Sequence, residues 1–414
     1  MIERTGCVVV GGGPAGMMLG LLLARAGVEV TVLEKHADFR RDFRGDTVHP
    51  STLRLLDELG LGERFARIPA GRLRQMRIRI GDTVVVMADF SRIPGRHKHI
   101  AMVPQGDFLD LLCAAASEEP TFTLRRNCTV TGLRRDDDGR VTGVDYTDAD
   151  GGSRALTADL TVGCDGRWSV VRRESGLPVR EFEVPMDVWQ VRVPKAHSGD
   201  GEVFGWFGGG QVAVAMDRGD YQQVAYLIAK GTDEQRRSED IAAWRSRLGE
   251  LCGFSDRQLA AIRDWDDVAV LRTGMNRLRR WYADGVLCIG DAAHTMSPVG
   301  GVGVNLAIQD AVATARYLAE PLRHGTIRRT DLARVQCRRS LPAAVVQQTQ
   351  RGEHDMLIHP ALDATLDEHH LPAPLRLLRR SPRLRAITAY IGGIGLRPEH
   401  APPFARRTER SPVL

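Results

Sequence analysis

The sequence predicts a mixed α/β fold: a parallel-sheet domain assembled from three separated stretches, an antiparallel sheet inserted between them, and a helical C-terminal tail. Three observations predict it. A short β-branched run, a glycine turn and an apolar helix open the chain, and two further strand-to-glycine-turn signatures follow near residues 165 and 291. Between those two, residues 183 to 230 alternate in the period-two manner of a half-buried sheet. Beyond about residue 350 the chain becomes rich in Arg and Leu.

Taken in order, Cys7 to Val10 is the first strand, Gly11-Gly12-Gly13-Pro14-Ala15-Gly16 the turn, and Met17 to Ala26 the helix, closed by Gly27. In such a turn the first glycine permits the tight bend and the second lets a pyrophosphate approach the backbone. The third lets helix and strand pack closely, with the anion at the helix N-terminus. Val28 to Leu33 is a second apolar strand that delivers Glu34 about 20 residues past the glycines, where a carboxylate accepts from a ribose hydroxyl and disfavours a 2′-phosphate. The expected ligand is therefore FAD or NAD rather than NADP, contacted by Gly11, Gly13, Pro14, Ala15, Gly16, Glu34 and Lys35.

Residues 76 to 99 read as two more strands. Ala158 to Gly166 carries a strand to Asp165 and Gly166 and runs on into Arg167-Trp168-Ser169-Val170-Val171-Arg172. Val203 to Phe207, Gln211 to Met216 and Tyr221 to Ile228 read as antiparallel strands, backed by helices over Ser238 to Leu248 and Ser255 to Ile262. Gly285 to His294 again ends a strand in an acid, Asp291, placed to accept from a polyol chain. The loop Ser297-Pro298-Val299-Gly300-Gly301-Val302-Gly303-Val304-Asn305 then opens a helix near Leu306 and offers backbone N–H groups and a helix dipole to a developing anion. The parallel-sheet domain is thus predicted over 1–75, 100–182 and 268–350, the inserted domain over 76–99 and 183–267, and the helical tail over 351–414.

Composition bounds the rest. A chain of 414 residues suits two joined domains, and 43% hydrophobic with 26% charged residues is a globular balance. The net charge of +5 comes from scattered arginines and argues against a nucleic-acid partner. The seven cysteines include no CxxC pair, so they read as reduced thiols with no metal role. The N-terminus enters a strand at once, with no room for a signal peptide, and no apolar run approaches the ~20 residues that span a bilayer, so a cytoplasmic location without stable membrane insertion is expected. In the tail, Leu371 to Arg380 reads as a basic amphipathic helix covering the parallel-sheet domain with its charges solvated.

In this order and spacing the three signatures resemble those of the FAD-dependent aromatic hydroxylases related to p-hydroxybenzoate hydroxylase, the single-component flavoprotein monooxygenases, over roughly residues 1 to 350. The resemblance implies a glutathione-reductase-like FAD-binding Rossmann domain with an inserted antiparallel-sheet substrate domain. It implies that Gly11, Gly13, Gly16 and Glu34 bind the ADP half of FAD and that Gly290 and Asp291 hold the ribityl chain. Arg44 matches the family arginine that contacts FAD, and Gln105, in Val103-Pro104-Gln105-Gly106-Asp107-Phe108-Leu109, the glutamine that touches the cofactor at a helix start. Asp165 and Gly166 match a motif used for both FAD and NAD(P)H, while Pro298, Gly301, Val302, Gly303, Val304 and Asn305 fall at the flavin edge. With one dinucleotide fingerprint, NAD(P)H would be a transient reductant, and the family then uses O2 through a flavin C4a-hydroperoxide to hydroxylate an aromatic or polycyclic small molecule, here in secondary metabolism.

The chain departs from that pattern in places. Val302 stands where many relatives carry Gln or Lys, and Gln211 to Met216 lacks the arginine that clamps a benzoate. The alternation of Phe204, Trp206, Val212 and Val214 suggests an apolar wall instead, with plain core the preferred reading of such a stripe. Arg44, Asp46 and His49 are the catalytic candidates, Asp46 and His49 as groups that help deprotonate a substrate hydroxyl. His49 also precedes Pro50, and the preferred reading makes it the cap of the helix through Leu59. His294 is expected to orient the Asp291 loop, and His354, His359, His369 and His370 to lie on the surface. A flavin-dependent reductase or dehydrogenase shares the same signatures, and a non-catalytic flavin-binding protein is the third reading.

Overall fold

In the computed structural model, residues 3–40, 47–195, 203–218 and 220–407 are described. The larger, eight-stranded sheet runs Tyr282–Ala283, Val286–Cys288, Ser153–Gly163, Glu3–Val10, Val30–Leu33, Phe122–Arg125, with the hairpin Thr129–Arg135 and Val141–Thr147 attached to Ser153–Gly163. The strands from Val286–Cys288 to Phe122–Arg125 are mutually parallel. The Val- and Leu-rich inner strands Glu3–Val10 and Val30–Leu33, buried on both faces over Cys7–Val10 and Val30–Leu33, are what a helix-covered parallel sheet requires. Helices Pro14–Arg25, Gln105–Ser117 and Gly303–Arg323 supply that cover, and Arg329–Glu353 packs on the last of them.

Register positions the site. Val10 pairs with Leu33 on one side and Gly163 on the other, and Gly163 pairs with Cys288. The residues that follow these four positions therefore emerge together at the carboxyl edge of the sheet, where ligands of open α/β sheets bind.

The second sheet has seven strands in the order Ala269–Leu271, Met186–Pro194, Tyr221–Ala229, Gln211–Asp217, Val203–Gly208, Gln75–Ile80, Thr83–Asp89. Every pair is antiparallel except Val203–Gly208 with Gln75–Ile80. Alternation splits it into two faces. On the outer face Trp189, Tyr226 and Ala213 pack under Trp244 and Leu248 of helix Ile241–Cys252. That helix starts later than the sequence suggested because Asp240, not Ser238, caps it, accepting from Ala242 N at 3.0 Å. On the inner face Ile80, Val188, Phe207, Val212 and Leu227 meet Leu357, Leu375 and Leu378 of the tail.

Two expectations are corrected here. Helix Ala373–Arg380 lies on the inserted sheet, not on the parallel-sheet domain, because its Leu375 and Leu378 complete the apolar inner face that the strands leave open. Only the following stretch returns to the first domain, through Glu399, Ala401 and Ala405. The suggested wall also divides: Trp206 pairs with Ala213 and packs outward beside Phe254, whereas Val212 faces inward. Among the described residues, no helix is long and apolar enough to cross a membrane.

Candidate active site

Three glycines of the first turn stand in three different environments. Gly11 has φ 101°, and a Cβ there would lie 2.6 Å from the Cys164 carbonyl oxygen; at Gly16 a Cβ would lie 1.9 Å from Gly11 O. The chain itself forbids side chains at both. At Gly13 nothing lies within 4 Å of the Cβ position, so this glycine opens onto space at the start of helix Pro14–Arg25, which no side chain caps. Uncapped N–H groups beside an open backbone are the cradle that a pyrophosphate fills. Glu34 is buried, its Oε2 accepting from Gly12 N at 2.7 Å and its Oε1 from His36 N at 3.0 Å, while Lys35 is exposed. Sequence reasoning missed Phe39 and Arg126, whose guanidinium sits 4.7 Å over the Phe39 ring near Gly12. An aromatic five residues past the acid was the available signal.

The Asp165 carboxylate is used within its own turn. It accepts from Ser169 Oγ at 2.5 Å and from Val170 N and Val171 N at 2.7 and 3.2 Å, holding the start of helix Val170–Glu174. Burial raises its pKa, against the pull of those donors. Gly166, with φ 80°, leaves open space beside it. Arg172, not singled out in the sequence, ties this turn to the third signature by donating to Asn276 Oδ1 at 3.1 Å and to the Asp291 and Ala292 carbonyls at 3.5 and 3.4 Å. Gln105 is the half-buried first residue of helix Gln105–Ser117. Arg44 and Asp46 lie outside the described residues.

At the third signature Gly290 N donates to Asp310 Oδ2 at 3.1 Å, and His294 Nε2 lies 2.6 Å from the same oxygen. Arg339 Nε completes the group on Oδ1 at 2.9 Å, all three side chains being about 1% exposed. Burial opposes the Asp310 charge, but His294 and Arg339 outweigh it and hold its pKa below the ordinary carboxylate value. His294 thus acts on the Asp291 loop through Asp310. Asp291 is half-buried and faces the start of the long helix, its Oδ1 lying 3.9 Å from where a Gly303 Cβ would stand.

Helix Gly303–Arg323 has no side-chain cap, so its first-turn N–H groups at Gly303, Val304 and Asn305 are available to a ligand, with the dipole behind them. The Asn305 side chain is buried, its Oδ1 accepting from Ser51 Oγ at 2.9 Å and Thr52 Oγ1 at 2.7 Å. The preceding loop is clasped from helix Arg329–Glu353: Gln350 Oε1 accepts from Ser297 N, and its Nε2 donates to Ser297 O and Val299 O at 2.8 and 2.7 Å. His354 corrects the surface expectation. It is 2% exposed, with Nε2 at 2.9 Å from Ser297 Oγ, and burial drives its pKa down to about 4; His359, His369 and His370 are exposed.

His49 occupies the N-cap position of helix Pro50–Glu58, but its ring makes no cap bond. Instead Nδ1 lies 2.8 Å from Gly392 O and Nε2 3.1 Å from Gly301 O, because the tail and the glycine loop close over it. Burial lowers its pKa against the pull of both carbonyls.

The inner face of the second sheet stands across from this loop, Val299 packing against the same cluster as Ile78 and Ala225. One cross-strand row there reads Gln190, Ala225, Val214, Gly205, Ile78. Ala225, Val214 and Ile78 are only half-buried, and Gln190, 7% exposed, has an Oε1 with no hydrogen-bond partner among the described residues.

A family model described as FAD binding domain matches residues 4–349. The chain is 30% identical over 388 residues to a 6-methylpretetramide 4-monooxygenase of Streptomyces rimosus, covering 93% of this chain and 91% of the relative. It is 33% identical to a 12-dehydrotetracycline 5-monooxygenase/anhydrotetracycline 6-monooxygenase of Streptomyces rimosus subsp. rimosus over 75% of this chain, but spans only 61% of that relative. The solved structure of OxyS anhydrotetracycline hydroxylase from Streptomyces rimosus superposes with a TM-score of 0.74 at 28% identity, covering 94% of this chain and 76% of that one. Since these matches extend through the inserted sheet as well as the glycine turn, the chain belongs to the FAD-dependent monooxygenases built on this FAD binding domain.

Proposed function

We propose that the protein hydroxylates an aromatic or polycyclic small molecule of secondary metabolism with NAD(P)H and O2. The observation that carries this reading is the half-buried apolar row Ala225, Val214, Ile78, of which Ala225 and Ile78 pack on the same cluster as Val299 of the loop. A wall of that kind suits a flat, largely apolar ligand and gives no anchor for a benzoate carboxylate. The relatives whose names specify tetracyclic substrates support a polycyclic one here.

In this reading residues 76–99 and 183–267 form the substrate domain, and 1–75, 100–182 and 268–350 bind FAD. Gly11, Gly13, Pro14, Ala15 and Gly16 would hold the pyrophosphate, Glu34 and Lys35 the adenosine side, Gln105 and Asp291 the middle of the cofactor, and the loop from Pro298 to Asn305 the pyrimidine edge. FAD bound there supplies electron transfer from NAD(P)H and activation of oxygen. What the chain contributes is orientation and charge. The Gly303 helix start stabilises negative charge at the pyrimidine edge, and the apolar row keeps water from the reacting face. Arg44, by the family resemblance, and Asp46, by its place in the sequence, remain further candidates. The free state of all seven cysteines supports a reducing, cytoplasmic setting.

The test is to purify the protein, record its visible spectrum, and follow NAD(P)H and O2 uptake with a panel of phenols and linear polycyclic phenols. Substrate-stimulated uptake of both, with an oxygenated polycyclic product, is the expected result. Flavin reduction without oxygen insertion on any member of the panel overturns the proposal.

A further inference from the structure

The peptide between Gly301 and Val302 is held from outside its own loop. Gly300 and Gly301 both have positive φ, 78° and 62°, so the local backbone has little preference of its own. Two side chains distant in sequence meet the Gly301 carbonyl oxygen: Thr47 Oγ1 donates to it at 2.9 Å, and His49 Nε2 lies at 3.1 Å. A trans peptide is planar and carries its N–H opposite its C=O, so fixing the Gly301 oxygen fixes the direction of the Val302 N–H. Val302 is the N-cap of the 21-residue helix Gly303–Arg323, and no side chain caps that helix.

We propose that Thr47 and His49 are positioning residues that hold the Gly301–Val302 peptide with its N–H aimed at the flavin pyrimidine edge. This rests on the proposed seat of FAD at the same helix start. A donor fixed where negative charge appears only on reduction binds the reduced cofactor more tightly than the oxidised one. Neutral imidazole has a single N–H to share between the Gly301 and Gly392 oxygens, and the Thr47 hydroxyl satisfies Gly301 in either tautomer. The tail residue Gly392 therefore takes part in setting the loop, since its oxygen competes for the same proton.

The experiment uses the FAD-loaded full chain and the variants Thr47→Val, His49→Phe and His49→Gln, reading the two-electron midpoint potential of the bound flavin and the dissociation constant of oxidised FAD. In Thr47→Val and His49→Phe the reduced cofactor is expected to bind about tenfold more weakly relative to the oxidised one, a potential about 30 mV more negative. His49→Gln, whose amide N–H donates to Gly301, restores most of that shift. Wild-type potentials in both Thr47→Val and His49→Phe overturn the proposal, as does loss of melting temperature with no change in the potential of retained flavin. If His49→Phe does not fold, Thr47→Val alone decides. A wild-type chain that takes up no FAD would instead sink the proposed seat, and this inference with it.

Discussion

Alanine at Gly13 and at Gly16 should separate cofactor binding from folding within one turn. At Gly16 the added methyl would sit 1.9 Å from Gly11 O, an oxygen that cannot swing aside because the N–H of its own peptide, at Gly12, donates to Glu34 Oε2 at 2.7 Å and Gly11 itself abuts Cys164. Overpacking against backbone belongs at the upper end of the usual range, so Gly16→Ala should cost about 3 kcal/mol. At Gly13, φ −74° and ψ −174° are open to alanine and no atom lies within 4 Å, so the fold should change by less than about 0.5 kcal/mol. In the proposed seat of FAD the same methyl would stand where the pyrophosphate approaches, and FAD affinity should fall at least about a hundredfold, roughly 2.7 kcal/mol. Urea melts of the apoproteins and FAD titration by fluorescence quenching measure the two effects. A Gly13→Ala protein with wild-type FAD affinity, or a Gly16→Ala protein with wild-type stability, would refute the reasoning.

Three further outcomes are expected. Burial pushes the Glu353 carboxyl from an ordinary 4.5 up to about 7, so the stability it contributes is fully present below pH 4.5 and is lost as pH rises through 7. Glu353→Gln should therefore gain on the wild type by about 3 kcal/mol between pH 4.5 and 8 in denaturant melts, and a gap that does not vary with pH speaks against it. Asp310→Asn takes the nearest carboxylate from buried Arg339, beside which Glu399 remains at 3.8 Å, and should cost about 3 kcal/mol, with weakened FAD retention through Gly290; a loss under 1 kcal/mol in the same melts counts against the network. A thiol reagent at pH 8 should modify Cys337 first, because it is exposed while Cys7, Cys164 and Cys288 are buried with their thiol pKa values raised by burial, and mass spectrometry of the labelled peptides identifies the site.

Much of the parallel-sheet domain was legible because its signals are local: a β-branched run, a glycine turn and an acid at the next strand end. The register that brings Val10, Leu33, Gly163 and Cys288 level was not in the sequence, but each signature ends its strand at the same point, so their meeting follows once the strands are parallel. What escaped were partners far apart in the chain. Nothing near His49 says that its ring will meet the carbonyls of Gly301 and Gly392, and the Pro50 beside it pointed to a cap instead. His354 looked like one of a surface group because its neighbours are polar, yet a helix face set by Gln347 and Gln350 carries it inward to Ser297. The tail helix was misplaced for a related reason: Leu375 and Leu378 show that it covers something apolar, but not which of two apolar faces.

The pairing of the first strand with Ser153–Gly163, and of that strand with Val286–Cys288, also sets a schedule for synthesis. The glycine turn leaves the ribosome early, yet the carbonyl of Cys164 that packs on Gly11 and the helix start at Gly303 arrive far later, on the order of tens of seconds at ordinary elongation rates. Until then the nascent chain carries a half-built nucleotide cradle and a parallel strand with one bare edge, the kind of edge that invites aggregation. With FAD in its proposed seat, a message broken before the third signature would accordingly yield not a weak enzyme but a sticky, colourless fragment, and free FAD could rescue a growing chain only after Gly303 had emerged.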